Sequence, residues 1–159
     1  MPDMPELLRP QLGDFSSIVC FKAVITGMED ALGDKATAIA LTTAGRARGK
    51  QLADSLGLSG SVESLDQAQA KLSQALGKDG TRLCIIDKIV TDGDTIKAYT
   101  SETVCSAGEA QGSDRKCTFT LGAVWGALEQ ILNKRLRGVH TESVLRGGNY
   151  DLFEFTPLQ

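Results

Sequence analysis

The sequence predicts an α+β domain: a small, largely antiparallel sheet of two hairpins, covered by helices. Three observations carry this expectation. Apolar residues recur at helical spacing through the first half of the chain, the period changes to that of strands near Leu83, and one further helical stretch separates two alternating segments. With 159 residues, 42% hydrophobic and 23% charged, the chain fits a single domain able to bury about 70% of the surface its unfolded form exposes. A proline-rich N-terminal extension over 1–14 is set apart from one domain over 15–157.

The elements follow in order. Phe15 to Leu32 places Ile18, Phe21, Ile25 and Met28 on one helical stripe, with Asp14 or Ser16 able to cap the first turn. Gly33-Asp34 breaks this helix. A second runs from Lys35 to about Leu56 and carries Gly45 and Gly49 four residues apart. Glycine costs about 1 kcal/mol against alanine inside a helix, so a pair on one face signals close approach by another backbone or by a ligand. Ser64-Leu-Asp-Gln67 has the capping-box pattern and opens a short helix with Leu65, Ala68, Leu72 and Leu76. Leu83 to Val90 and Thr95 to Thr100 then form a hairpin about Thr91-Asp-Gly-Asp94.

The segment 101–116, rich in Ser, Gly and charge, reads as a mobile connection or lid. Thr118 or Thr120 can cap the last helix, which continues to Leu136 with Lys134, Arg135 and Arg137 at its C-terminal end and Gly138 as its stop. Val139 to Leu145 and Tyr150 to Thr156 complete a second hairpin about Arg146-Gly-Gly-Asn149.

Composition excludes several functions. A formal net charge of −3 with interspersed basic residues leaves no footprint for nucleic acid. The apolar runs fall short of the roughly 20 residues that span a bilayer, and the N-terminus lacks the order of a signal peptide. Cys20, Cys84, Cys105 and Cys117 include no Cys-x-x-Cys pair, so a cytoplasmic protein with reduced thiols is expected, Cys20 and Cys84 being core residues.

The last third concentrates the candidate chemistry. Gly122 and Gly126 repeat the spacing of Gly45 and Gly49, and Trp125 lies between them in sequence on another face of the helix. Helix packing accounts for the glycines, and a pocket walled by Gly45, Gly49, Gly122, Trp125, Gly126 and Phe153 is the ligand-binding alternative. His140 is the sole histidine and is expected to be an exposed strand residue bonded to Glu142. Cys105, Cys117 and His140 offer the donors that suit zinc, at spacings matching no ligand motif. No Gly-x-Ser-x-Gly elbow supports nucleophilic catalysis, and no Gly-x-Gly-x-x-Gly follows a strand to hold a nicotinamide or flavin.

Gly45-Arg-Ala-Arg-Gly49-Lys-Gln-Leu52, Cys117-x-Phe-x-x-Gly122-x-x-x-Gly126-x-Leu128-Glu129, Val139-x-x-Glu142 and Gly147-x-x-x-Asp151-x-Phe153 together resemble the four-vinyl-reductase-type hydrocarbon-binding domains, over roughly Phe15 to Pro157. That family is related to the TRAPP trafficking subunits and, more distantly, to haem nitric-oxide/oxygen sensor domains. The resemblance implies a non-enzymatic fold with a pocket for a small apolar ligand, pairing as a homodimer through its N-terminal helices. In phototrophs such proteins are tied to tetrapyrrole metabolism or photosystem assembly, which implies chlorophyll or its precursor as ligand and a photosystem or other membrane complex as partner. A ligand-free dimeric scaffold and an accessory factor or enzyme in vinyl reduction are the alternatives. Relatives that sense aromatics bind zinc through cysteines where this chain has Ser143 and Asp151. Only Cys117 keeps its place, so the resemblance implies that the zinc site is lost. The helix histidine and Tyr-x-Ser-x-Arg of the haem sensors are absent.

Overall fold

The computed structural model describes residues 9–61 and 65–158. Four α-helices and four strands follow in the order α1 (Ile18–Leu32), α2 (Asp34–Ser55), α3 (Leu65–Leu76), β1 (Ile85–Asp92), β2 (Thr95–Ser101), α4 (Phe119–Leu132), β3 (Leu136–Glu142) and β4 (Asp151–Pro157), with a 3-10 turn at Val144–Arg146. The strands form one antiparallel sheet in the order β1-β2-β4-β3. Each expected hairpin is present, and the two are joined where Ala98 of β2 faces Phe153 of β4. The α+β class and the helix-covered antiparallel sheet therefore hold.

α4 is the central element. Ten of the fourteen residues of FTLGAVWGALEQIL are buried, because the sheet packs on one side and α2 on the other. Val124, Leu128 and Ile131 of α4 join Phe153, Phe155, Ile96 and Ala98 of the sheet in one core that also takes in Leu72 and Leu76 of α3. α3 covers the outer edge of β1. The Gln69 side-chain carbonyl accepts from the Ile89 N–H at 2.8 Å and the Ser73 hydroxyl donates to the Ile86 carbonyl at 3.2 Å, satisfying edge groups that would otherwise invite another strand.

The glycines make the α2–α4 contact possible. A Cβ on Gly45 would overlap the Phe119 carbonyl oxygen, one on Gly49 that of Ala123, one on Gly122 that of Thr42 and one on Gly126 that of Arg46. The two four-residue pairs thus face each other across a backbone-to-backbone seam. Where the sequence suggested the wall of an apolar pocket, the space is filled by the opposing helix.

Several boundaries differ from expectation. Ser17, rather than Asp14 or Ser16, caps α1 by accepting from the Val19 N–H at 3.1 Å. The capping box of α3 falls partly outside the described residues. α4 stops at Leu132, not Leu136, because Asn133 adopts a left-handed conformation (φ 51°) and the Glu129 carboxylate takes the Leu136 N–H at 2.8 Å, starting β3 there. Gly138 consequently sits within β3 instead of ending a helix. A side chain there would strike the rings of Phe155 and Trp125.

The 101–116 segment is a fastened connection and not the mobile lid that its composition suggested. Thr103, Val104 and Cys105 are buried. Lys22 of α1 bonds Glu109 at 2.8 Å, Arg115 pairs with both Glu109 and Glu29, and Arg146 donates to the carbonyls of Ser113 and Arg115. α1 is tied down mainly by these ion pairs and by a small cluster of Ile25, Leu41 and Val104.

The seam and the exposed face of α1 make opposite predictions for one substitution. Gly126→Ala must displace α4 from Arg46 and is expected to cost about 1–3 kcal/mol as overpacking, whereas Gly27→Ala, in open space on α1, should add about 0.5–1 kcal/mol. Urea unfolding midpoints of the two variants check both signs.

Candidate functional site

Two places among the described residues are candidates for a functional site: a sealed polar cluster where β3, β4 and the entrance of α4 meet, and an apolar groove beside α1.

The first gathers residues far apart in sequence. The antiparallel register sets His140 of β3 opposite Phe153 of β4, on the inward face, while the bulge after His140 turns Glu142 elsewhere. His140 is not the exposed partner of Glu142 that the sequence suggested. Its side chain is 3% exposed, its ring meets Phe153 edge-on, and Nε2 lies 3.0 Å from the Asp151 carboxylate. Nδ1 accepts the Cys117 backbone N–H at 3.2 Å. That bond requires a lone pair on Nδ1, so Nε2 carries the proton and donates it to Asp151.

Asp151 is itself 1% exposed. Burial opposes its negative charge, but hydrogen bonds from His140, Ser143 and Thr103 outweigh this and hold its pKa below the ordinary carboxylate value. Glu142 instead accepts the Asn149 N–H at 3.2 Å.

Cys105 and Cys117 also meet here, joined by a disulfide with Cα atoms 5.1 Å apart. The expectation of four reduced thiols is thus corrected. The fastened 101–116 connection brings Cys105 back to the foot of α4, a proximity invisible in the spacing. Cys84 is the buried core thiol expected, its pKa pushed up to about 12 by burial and by nearby Asp87 and Asp151. Cys20 is exposed, not in the core.

Cys105, Cys117 and His140, the three candidate metal ligands, are therefore brought together, and Asp151 joins them. Donor atoms of Cys105, Cys117 and Asp151 all lie within 4.8 Å of one another. Zinc takes thiolates, however. These sulfurs are bonded to each other and the Asp151 oxygens are committed to His140 and Thr103, so the arrangement as it stands does not fit a metal.

The second place is a groove of about 650 Å³ bounded by α1, α2, α4 and the turn before β1. Its apolar walls come from Phe21 and Val24 of α1, Leu52 of α2, Leu83, Val104 and Phe119, with the rings of Phe21 and Phe119 packed edge-on at 5.6 Å. It exists because the α1 stripe is only partly used. Ile25 is buried, but Ile18 remains 42% exposed, and Phe21 and Met28 are half-buried. A volume of this size with a mostly apolar lining is in the range of small-molecule sites.

Of the six expected pocket residues, Gly49 alone lines the groove. Gly45, Gly122 and Gly126 are in the α2–α4 seam and Phe153 is in the core. Trp125 lies on the other side of α4, donating from Nε1 to the Leu136 carbonyl at 2.9 Å beneath the Arg46 guanidinium. That guanidinium pairs with buried Glu129 at 2.7 Å. Sequence reasoning missed Phe119, Val104 and Leu83 as wall residues, although the Phe21 stripe pointed toward the groove.

No family model matches the chain, and no characterised protein resembles it closely in sequence. Solved structures do resemble it. The phenol-responsive sensory domain of the transcription activator PoxR, determined with phenol, superposes with a TM-score of 0.69 at 13% identity over 91% of this chain and 76% of that one. Trafficking protein particle complex subunit 3 from Naegleria fowleri, covalently bound to palmitic acid, gives 0.58 at 15% identity over 89% and 93%. A vinyl-4-reductase family protein from Methanocaldococcus jannaschii gives 0.52 at 16% identity over 93% and 85%. At these identities the likeness is one of fold. It is the fold that the sequence resemblance named.

The polar cluster generates two expectations. Thiol titration without reductant should count one reactive group in the native protein, Cys20, and two after unfolding; replacing Cys105 and Cys117 by serine should remove about 3 kcal/mol of stability. Because the folded-state pKa of Asp151 is depressed, its contribution is present above the unfolded value of about 3.9 and is lost as pH falls below it. Asp151→Asn is expected to lower stability at pH 7 and to flatten its decline in acid, as measured by denaturant midpoints across pH.

Proposed function

We propose that this chain is a non-enzymatic binding domain that holds a small apolar molecule in the groove beside α1. The observation that carries the reading is the groove itself: phenylalanine and aliphatic walls around about 650 Å³, whereas a second hollow of about 620 Å³ between α1, α2 and the 113–118 segment is lined largely by polar and charged residues. The similar structures support it, since one was determined with phenol and another with palmitic acid.

Binding is favoured over catalysis by the state of the histidine. His140 and Asp151 form the acid–base pair that an enzyme would use, yet both side chains are sealed and Nδ1 is engaged by backbone. Vinyl reduction would further need a reductant site that no motif supplies.

A tetrapyrrole such as chlorophyll or its precursor, in a phototroph, is the finer form of this reading. It rests on the sequence resemblance, to which the groove adds an apolar lining but no imidazole for a central metal. The resemblance puts the protein in the cytoplasm, peripheral to a photosystem or other membrane complex at most, although the Cys105–Cys117 disulfide removes the reduced-thiol ground for that placement. No helix among the described residues is long and apolar enough to cross a membrane.

The scaffold reading has its own support. Val19, Leu32 and Ile39 are 73%, 60% and 61% exposed on α1 and α2 without lining the groove, which suits pairing of two copies through these helices.

Titration with the apolar fluorophore N-phenyl-1-naphthylamine separates the two. Saturable enhancement is expected, weakened at least about tenfold by Val24→Asp, which puts a charge against the apolar wall, with thermal stability retained because Val24 is already 55% exposed. Absence of binding would leave the scaffold. Val19→Glu is expected to shift a dimer to monomer in sedimentation without affecting the dye.

A further inference from the structure

The groove has a chemical polarity that its apolar walls conceal. Among the described residues its lining contains two arginines, Arg48 of α2 and Arg82 of the turn before β1, and no aspartate or glutamate. This is a notable bias in a chain with acids in excess, at a formal net charge of −3.

Neither guanidinium is neutralised by a carboxylate of the described residues. Arg48 is exposed and has no ion pair among the described residues. Arg82 donates from Nε to the Lys78 carbonyl at 3.0 Å and lies over the Phe15 ring at 5.3 Å, which orients its planar end while leaving the Nη groups without a protein acceptor among the described residues. The backbone at Arg82 is left-handed, φ 56°, although the residue is not glycine. A side chain with a Cβ is disfavoured in that conformation, and here the turn holds it against the mouth of the groove. By contrast, Lys22, Arg46 and Arg115, on other faces, are all paired with Glu109, Glu129 or Glu29.

We infer that the occupant of the groove is an amphiphile with a single apolar body and an anionic head, a carboxylate above all, whose body lies against Phe21, Leu83, Val104 and Phe119 and whose head meets Arg48 and Arg82. This rests on the groove being a binding site and adds the class of ligand. A guanidinium matches a carboxylate through two parallel N–H donors, and such charge-assisted bonds are about twice as strong as neutral ones. A neutral hydrocarbon would leave both arginines unused. A cationic amphiphile would meet repulsion.

The structure also supplies a reporter. Cys20 lines the groove and is exposed, while Cys84 is buried and the other two cysteines are joined, so a thiol reagent applied to the native full-length chain reads Cys20. The experiment compares three ligands of equal chain length below their micelle concentrations: dodecanoate, dodecanol and dodecyltrimethylammonium. Each is scored by displacement of N-phenyl-1-naphthylamine and by the slowing of Cys20 modification.

Dodecanoate is expected to bind at least about tenfold tighter than dodecanol, the equivalent of about 1.4 kcal/mol. The trimethylammonium compound should bind weakest. Arg48→Gln and Arg82→Gln should each weaken dodecanoate at least about fivefold and leave dodecanol unchanged. Both side chains are exposed; should Arg82→Gln perturb its turn, Arg48→Gln still decides.

Equal binding of all three heads, or tighter binding of the cation, would overturn the anionic-head assignment while leaving an apolar site. Failure of every ligand to displace dye or protect Cys20 would overturn the site as well.

Discussion

The fold depends on one constraint: two helices that approach until backbone meets backbone. Gly45 and Gly49 on α2 face Gly122 and Gly126 on α4, and a methyl group at any of the four would overlap a carbonyl oxygen of the other helix. Such a seam gives up glycine's helix cost to gain close contact along two helices. It fixes α4 between α2 and the sheet, and so sets where the strands, the connection and the groove can lie. Because the seam holds α2 close against α4, α1 is left to pack at their margin, bound by ion pairs and a small apolar cluster. The groove is the space this margin leaves.

A second constraint holds the other end of α4. The Cys105–Cys117 disulfide, the Cys117 N–H to His140 bond and the His140–Asp151 pair link the connection, the helix entrance and strands β3 and β4. Every polar member has a partner, as burial in a low-dielectric interior demands. The cluster therefore acts as a clasp. Its histidine is held in one tautomer by backbone and carboxylate together, an arrangement suited to rigidity.

Much of this was legible in the sequence. The helix stripes, the change of period at Leu83 and the turn at Gly93-Asp94 located the elements to within a few residues, since these depend on local pattern. The glycine pairs correctly marked a close approach, but spacing cannot say whether backbone or ligand fills it. What stayed hidden was mostly non-local. Cys105 reaches Cys117 only because Lys22, Glu109, Arg115 and Arg146 fasten the connection between them. His140 turns inward on the alternating face it shares with Leu136 and Gly138, and the bulge after it sends Glu142, its expected partner, elsewhere. The end of α4 at Leu132 was missed for a local reason: the left-handed Asn133 and the bond from the Leu136 N–H to the Glu129 carboxylate interrupt an apolar periodicity that runs on. The groove was half visible: the Phe21 stripe marked an apolar helix face, and its incomplete burial emerges only in three dimensions.

The central claim is that the ligand lies beside α1 and not within the α2–α4 seam. Nitrogen–proton correlation spectra of the labelled protein, recorded with and without a saturating apolar dye, locate it directly. The account predicts shifts concentrated at Phe21, Val24, Leu83, Val104 and Phe119, with the Trp125 indole N–H unmoved in its bond to Leu136. Shifts centred on Trp125, Gly122 and Gly126, with the α1 resonances unchanged, would contradict it.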